Sequence, residues 1–227
     1  MTAEKGFFIT LEGGDGTGKS TQIRLLSAAL SAAGIDVATT REPGGTPQAE
    51  RIRNLLLQRD SGAFDPLTEA MLMFSARREH LVNKIWPSIE AGQWVISDRF
   101  ADSTRAFQGY GMGLDLDLIE RLYTLVAGDF QPDLTIIFDI DPEAGLARSL
   151  KHMSQTANAT ESTEDRYERM GIAFHTRLRE GFLTIAKQHP QRCVVIDAAQ
   201  DIEAVHRAVL AVVTGRFGLD LKEAKHG

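Results

Sequence analysis

The chain is 227 residues long, 43% hydrophobic and 25% charged, with a formal net charge of −6. That is room for one large α/β domain or two small ones; the acid excess argues against a surface that coats nucleic acid, and no stretch reaches the roughly 18 consecutive apolar residues of a membrane span. Cys193 is the single cysteine, so no intramolecular disulfide can form, which fits a reducing cytoplasm. The opening MTAEKG lacks a charged leader followed by an apolar run, so no export signal is expected.

The first apolar run, 7–11, reads as a buried strand and leads into LEGGDGTGKST. Gly13-Gly14-Asp15-Gly16-Thr17-Gly18-Lys19-Ser20 fits G-x-x-x-x-G-K-[ST] at every fixed position, and Thr21 continues it into a helix over 21–33 with Ile23, Leu26 and Leu30 on one face. In that setting the glycines let backbone N–H groups turn around phosphate oxygens, and the helix start adds the positive end of its dipole. Lys19 then bridges the outer phosphates of a nucleoside triphosphate and Ser20 ligates Mg²⁺. Asp15 is the anomaly, because a carboxylate beside a polyphosphate is repelled by it.

A second strand, 36–40, ends in Arg41-Glu42-Pro43-Gly44-Gly45-Thr46. The helical pattern over 68–89 carries Phe74 and, four residues on, Arg78, a spacing that sets a ring and a guanidinium on one face and suits a nucleobase with a carbonyl edge. The third strand, 94–97, runs into Asp98-Arg99-Phe100. A helix over 116–127, a strand over 134–140, a helix over 174–188, a strand over 193–197 and a helix over 202–214 complete the alternation. Cys193, in the apolar run CVVID, reads as a buried thiol.

Strands alternating with helices imply a mostly parallel sheet covered on both faces, with ligands at the carboxyl ends of the strands. The segment 154–165, SQTANATESTED, has no large apolar residue to bury and reads as a surface loop or, more sharply, as a mobile lid. An N-K-x-D base-reading motif for a GTPase is not met, since Asn83-Lys84 continues into Ile85-Trp86. Arg41, Arg53 and Arg99 supply more positive charge than the cradle uses, which points to a second phosphate. Together these features read as phosphoryl transfer between two nucleotides.

The set LEGGDGTGKST, REPGGT, LMFSARR, SDRFADSTRAFQG and PDLTIIFDI resembles the bacterial thymidylate kinase family, in the family's order over about residues 7–214. The resemblance implies a single domain over 1–227 with the nucleoside monophosphate kinase fold: a five-stranded parallel sheet with helices on both faces and a lid at about 148–169. It implies a cytoplasmic homodimer that transfers the γ-phosphoryl group of ATP to dTMP with Mg²⁺, for dTTP synthesis, and that has no nucleic-acid or membrane partner. It sets Phe74 against thymine and Arg78 on its carbonyl, with Ser103, Thr104 and Gln108 near the nucleotide. Arg41, Arg53 and Arg99 fall near the acceptor phosphate and Glu42 near the acceptor sugar. Asp98 stands where it holds Mg²⁺ through water. Asp15 faces the acceptor's 3′-hydroxyl and the arginines, which accounts for a carboxylate in the cradle.

Two positions depart from the family pattern. Gly16 stands where one branch has an arginine that reaches the transferred phosphoryl group, which leaves that work to the lid; Arg166 in Asp165-Arg166-Tyr167-Glu168 matches the lid motif, Arg148 is expected on adenine, and Lys151 and His152 lie in a stretch longer than the pattern. Phe107 replaces a tyrosine near the sugar C2′. A kinase for another nucleoside monophosphate, and a P-loop binding module without catalysis, are the rival readings.

Overall fold

Strand β1 (Phe8–Gly13) is buried along its whole length, so it has to be a central strand. It pairs in parallel with β3 (Trp94–Asp98) on one side and β4 (Leu134–Asp139) on the other. β2 (Val37–Arg41) and β5 (Cys193–Asp197) form the outer strands in the order β2-β3-β1-β4-β5. The protein is described from a computed structural model, which covers residues 5–57, 64–156, 167 and 169–221. Among these residues the sheet is the five-stranded parallel one expected from the sequence, each observed strand lying within two residues of its expected span.

Period-two alternation splits β1 between two packing layers. Ile9 and Leu11 face a core built with α1 (Lys19–Ala32) and α9 (Ile202–Phe217), through Ile23, Leu26, Val205 and Val209. Phe8 faces the opposite layer, where α3 (Pro66–His80), the wide-turn segment Leu81–Ile85 and α6 (Leu116–Ala127) contribute Phe74, Leu81, Ile85 and Ile119. α8 (Ile172–Gln188) extends that layer with Phe174, Leu178 and Phe182. Glu12, on the Phe8 side, is therefore buried at the carboxyl end of the sheet.

Local chemistry sets the helix boundaries. Asp65 caps α3 by accepting from the backbone N–H of Leu67 and Thr68, with Pro66 in the first turn. Asp201 caps α9 in the same way through Ala204, and Gly218 ends it in the left-handed region. α1 has no side-chain cap, because the residue at its start is Gly18, in the left-handed region at φ 87°, and glycine has no side chain to accept from the first N–H groups.

The long helical pattern over 68–89 is three pieces: α3, the π-type turn Leu81–Ile85, and α4 (Trp86–Glu90) with Pro87 in its first turn. Three helices lie where no helix was expected: α2 (Pro47–Leu57), α5 (Ala101–Thr104) continued by the π-type segment Arg105–Gly111, and α7 (Pro142–Thr156). The end of α7 takes in 154–156 of the stretch read as a lid; residues 157–166 lie outside the described set. Among the described residues no helix is long and apolar enough to cross a membrane. Cys193 is buried, and burial pushes its thiol up to about 12.

Candidate active site

The chain goes from β1 out to β2, returns through β3 and then crosses to β4, so the sheet switches direction around β1. A crevice opens at the carboxyl ends of strands at such a point. The loop 13–18 occupies it. Gly13 adopts φ 132° with its Cα against β4, where a Cβ would stand 2.5 Å from the Phe138 carbonyl oxygen. Thr17 donates to the Gly14 carbonyl at 2.9 Å and so holds the turn.

Lys19 is buried and donates to the carbonyls of Gly13 (3.2 Å) and Gly14 (2.7 Å). Burial, and next the charge of Arg99, push its ammonium down to about 8. The site therefore holds a cation that an anion would recharge. Ser20 donates to Asp98 Oδ2 at 3.2 Å, while Asp98 Oδ1 is buried with no hydrogen-bond partner among the described residues. A hydroxyl and a carboxylate with a spare buried oxygen fit Mg²⁺, which takes one or two protein oxygens and completes its shell with water and phosphate.

Arg99 follows β3 with φ 67°, a left-handed conformation costing a non-glycine residue about 1–3 kcal/mol. Its backbone is held on both sides, by Arg99 N–H to the Leu11 carbonyl at 3.0 Å and by the Ser97 hydroxyl to the Arg99 carbonyl at 2.7 Å. That turn aims the guanidinium back across β1. It donates to Asp15 Oδ1 at 2.6 Å, to the Gly13 carbonyl at 2.8 Å and to Ser103 Oγ at 3.1 Å, and lies over the Phe107 ring at 4.9 Å. Burial alone would raise the Asp15 carboxyl, but Arg99 and Lys19 outweigh it and hold Asp15 below its ordinary value. The carboxylate is thus charged and paired with arginine.

Beneath Arg99, Glu12 accepts from the Phe100 N–H at 2.7 Å and from Ser103 Oγ at 2.5 Å. Burial first, then the charge of Asp102, push its carboxyl up to about 7.

Two clefts meet at this point. One follows the cradle past Lys19, Ser20, Asp98, Arg41 and Arg148. The other, smaller and more apolar, runs from Pro43 and Met73 to Phe107, Gln108 and Tyr167. Asp15, Glu42, Arg53 and Arg99 line both, so they form the shared wall. A third recess continues from Gly16, Thr17 and Thr21 to the start of α9; there Arg148 donates to the carbonyls of Ala198 (2.7 Å) and Ala199 (2.9 Å).

The residues singled out from the sequence take distinct places in this arrangement. Ser103, Thr104, Phe107 and Gln108 line the second cleft from α5 and the wide turn after it. Arg53 donates to the Pro43 carbonyl at 2.8 Å, and Arg41, half exposed, pairs with Glu50 at 3.1 Å. Arg166 and His152 fall outside the residues whose side chains are described, and Lys151 is exposed.

The pair Phe74 and Arg78 is corrected. Phe74 is 2% exposed and belongs to the core under the cleft. Arg78 turns toward α6, where it donates to the Val126 carbonyl at 2.8 Å and covers Trp86. The cleft is lined instead by Met73 and Arg77. One residue is about 100° of helix, which moves a side chain from one face to the next. Spacings of three and four are equally compatible with one face, so the consecutive arginines left the choice to tertiary packing.

Arg77 lies between the rings of Phe74 (4.8 Å) and Phe100 (5.0 Å). Its Nε donates to Glu42 at 2.8 Å and one terminal nitrogen to Thr104 Oγ1 at 3.1 Å; the other, Nη1, is buried without a partner among the described residues. A buried unmatched guanidinium nitrogen costs on the order of 1–3 kcal/mol unless a ligand meets it, and a carbonyl edge is the acceptor it suits. Glu12, Met73, Arg77 and Tyr167 were not singled out from the sequence. Tyr167 donates to Glu69 at 2.7 Å beside Gln108 and packs edge-on against Phe107, so a phenol does reach this cleft, from another element.

Gly16 also has a structural cause. It adopts φ 72°, and a Cβ there would stand 2.0 Å from the Gly145 carbonyl oxygen of α7. The close approach of α7 to the loop excludes any side chain at this position.

Comparison with known proteins agrees with this geometry. The family model described as thymidylate kinase matches residues 11–209. A thymidylate kinase of Caulobacter vibrioides is 48% identical over 215 residues, which cover 95% of this chain and 99% of that protein. One of Citrifermentans bemidjiense is 47% identical over 197 residues, 87% of this chain and 86% of that protein. The crystal structure of thymidylate kinase from Ehrlichia chaffeensis is 41% identical, superposes with a TM-score of 0.73, and is matched over 92% of this chain and 99% of that one.

Proposed function

The chain belongs to the thymidylate kinase family, and from that premise we propose that it transfers the γ-phosphoryl group of ATP to dTMP, giving ADP and dTDP. The observation that carries the proposal is the shared wall, where Asp15, Arg53 and Arg99 face both the phosphate cradle and a separate, more apolar cleft. Two nucleotides seated in those clefts meet phosphate to phosphate at that wall.

The nucleophile is an oxygen of the acceptor phosphate, whose second pKa near 6 leaves it largely dianionic at neutral pH. Little proton transfer is asked of the protein, and catalysis is positioning plus charge stabilisation. Lys19 and the N–H groups at the start of α1 hold the donor phosphates. Arg99 and Arg53, with Arg41 at the rim, hold the acceptor phosphate. Asp15 fixes Arg99 by their 2.6 Å ion pair and accepts from the acceptor sugar hydroxyl. Glu12 and Ser103 lock the loop that aims Arg99.

Ser20 and Asp98 would hold Mg²⁺, which supplies neutralisation of donor-phosphate charge when bound. Arg77 Nη1 donates to the base carbonyl, Met73 and Phe107 flank the ring, and Thr104 and Gln108 complete the pocket. Arg148 borders the adenine recess. Arg166, from the lid at about 148–169, meets the transferred group, since Gly16 has no room for a cation.

The whole chain acts as one such domain. We place it in the cytoplasm, supported by its single buried thiol. We infer a homodimer; α3 and α6 pack together and leave Leu67, Met71 and Leu125 exposed, and a monomer mass by light scattering at micromolar concentration would contradict it. A coupled assay across dTMP, dUMP, dCMP and AMP tests the substrate. A site that hydrogen-bonds a base edge rejects analogues that leave its groups unpaired, so dTMP is expected to lead, and comparable efficiency on AMP refutes the proposal.

A further inference from the structure

Arg77 is aimed by its neighbours. Its Nε is fixed by Glu42 Oε2, and the other Glu42 oxygen, Oε1, receives a hydrogen bond from His80 Nδ1 at 3.0 Å. His80 Nε2 lies 2.7 Å from Thr40 Oγ1 on β2. The result is an unbroken line, Thr40–His80–Glu42–Arg77–Thr104, from the edge strand to the wall of the second cleft. His80 has no accessible surface, and Arg77 and Glu42 are nearly as buried. The turn after β2 is shaped around the imidazole: at Gly45 a Cβ would stand 2.4 Å from His80 Nε2 and 2.5 Å from Thr40 Oγ1.

A buried carboxylate with one oxygen on arginine still needs a donor for the other, and here the imidazole supplies it. We propose that His80 is a positioning residue for the acceptor pocket: it holds Glu42, which holds Arg77 with Nη1 turned toward the base. His80 touches no substrate. It shares the cleft-side face of α3 with Met73 and Arg77, one turn further on, and acts through the carboxylate. The inference rests on the reading that Arg77 Nη1 meets a base carbonyl.

Two substitutions separate the bond to Glu42 from the bond to Thr40. In His80→Asn the side-chain amide falls where Nδ1 lies and can serve Glu42. In His80→Gln it reaches the Nε2 position and can serve Thr40. His80→Leu removes both bonds, and Arg77→Met is the reference. The measurements are the dTMP dissociation constant, the ratio of kcat/KM for dTMP over dCMP, and the ATP dissociation constant, all on the full chain.

Losing a hydrogen bond to a charged group corresponds to roughly tenfold or more in affinity. His80→Gln and His80→Leu are therefore expected to weaken dTMP about tenfold and to lower the dTMP-to-dCMP ratio, with ATP affinity unchanged. His80→Asn is expected to keep most of both. If the Leu chain fails to fold, the Asn and Gln variants decide alone. Wild-type dTMP affinity and discrimination in the Gln variant would overturn the proposal, and so would a loss in Asn with Gln intact, since His80 would then act as a strap to β2. Intact dTMP binding in Arg77→Met would refute the underlying base reading instead.

Discussion

Raising the pH from 7 to 9 should change how many protons the enzyme takes up when it binds ATP, and Lys19 sets the size of the effect. In the free protein, among the described residues, its ammonium has only the Gly13 and Gly14 carbonyls and Thr17 Oγ1 at hydrogen-bond distance, and its pKa falls to about 8 from an ordinary 10.5. A triphosphate in the cradle sets anionic oxygens against Nζ and restores the charged form. The unprotonated fraction of the free site is about 0.1 at pH 7, 0.5 at pH 8 and 0.9 at pH 9 for a pKa near 8. ATP binding should therefore take up about that many protons through Lys19. A separation of about 2.5 units corresponds to about 3 kcal/mol of differential interaction, the upper end of what recharging can add to donor binding. Isothermal titration in buffers of different ionisation enthalpy gives the uptake directly. Lys19→Met subtracts the contributions of ATP and all other groups. An uptake that stays flat between pH 7 and 9, or that survives in Lys19→Met, would refute the reasoning.

Glu12 gives a stability test. Its folded pKa of about 7 lies above the ordinary 4.5, so the folded state holds the proton more tightly. That contribution is complete below about pH 4.5 and is lost as pH rises through 7, by up to about 3 kcal/mol. Urea melts between pH 5 and 8 should show Glu12→Gln gaining on the native chain as pH rises, and parallel curves would contradict the buried carboxyl. Arg77→Met should weaken dTMP roughly 10- to 100-fold, the scale of a charged hydrogen bond, while Arg78→Met should leave dTMP binding within about twofold; equal effects in a binding assay would mean that both face the cleft. Arg166→Ala should lower kcat by roughly 10² or more, as for arginines that meet a transferred phosphoryl group, with little change in dTMP affinity. A normal kcat would move that role to Arg148 or Lys151.

What the sequence determined by itself was local. The cradle 13–20 is a contiguous peptide whose glycines and helix start make the phosphate site, so its motif was sufficient to find it. The strands were legible because buried parallel strands are short apolar runs; α6, with one strongly apolar stripe, was placed to the residue at Leu116–Ala127. α2 and α7 escaped because they are polar on average, and α5 because it is four residues long and fused to a π-type turn. Tertiary packing decided the rest. Whether Arg77 or Arg78 enters the cleft depends on the phase of α3 against α6 and the sheet, since adjacent residues on a helix face neighbours about 100° apart. Glu12 reads as one more polar residue next to the glycines, yet the pleat of β1 turns it under Arg99, where burial sets its proton affinity. Gly16 looks like a missing cation in the sequence; in the fold it is the contact point of α7. In each case the deciding partner lies tens of residues away in the chain, and hydrophobic periodicity, which records only which face is buried, carries no information about what that face meets.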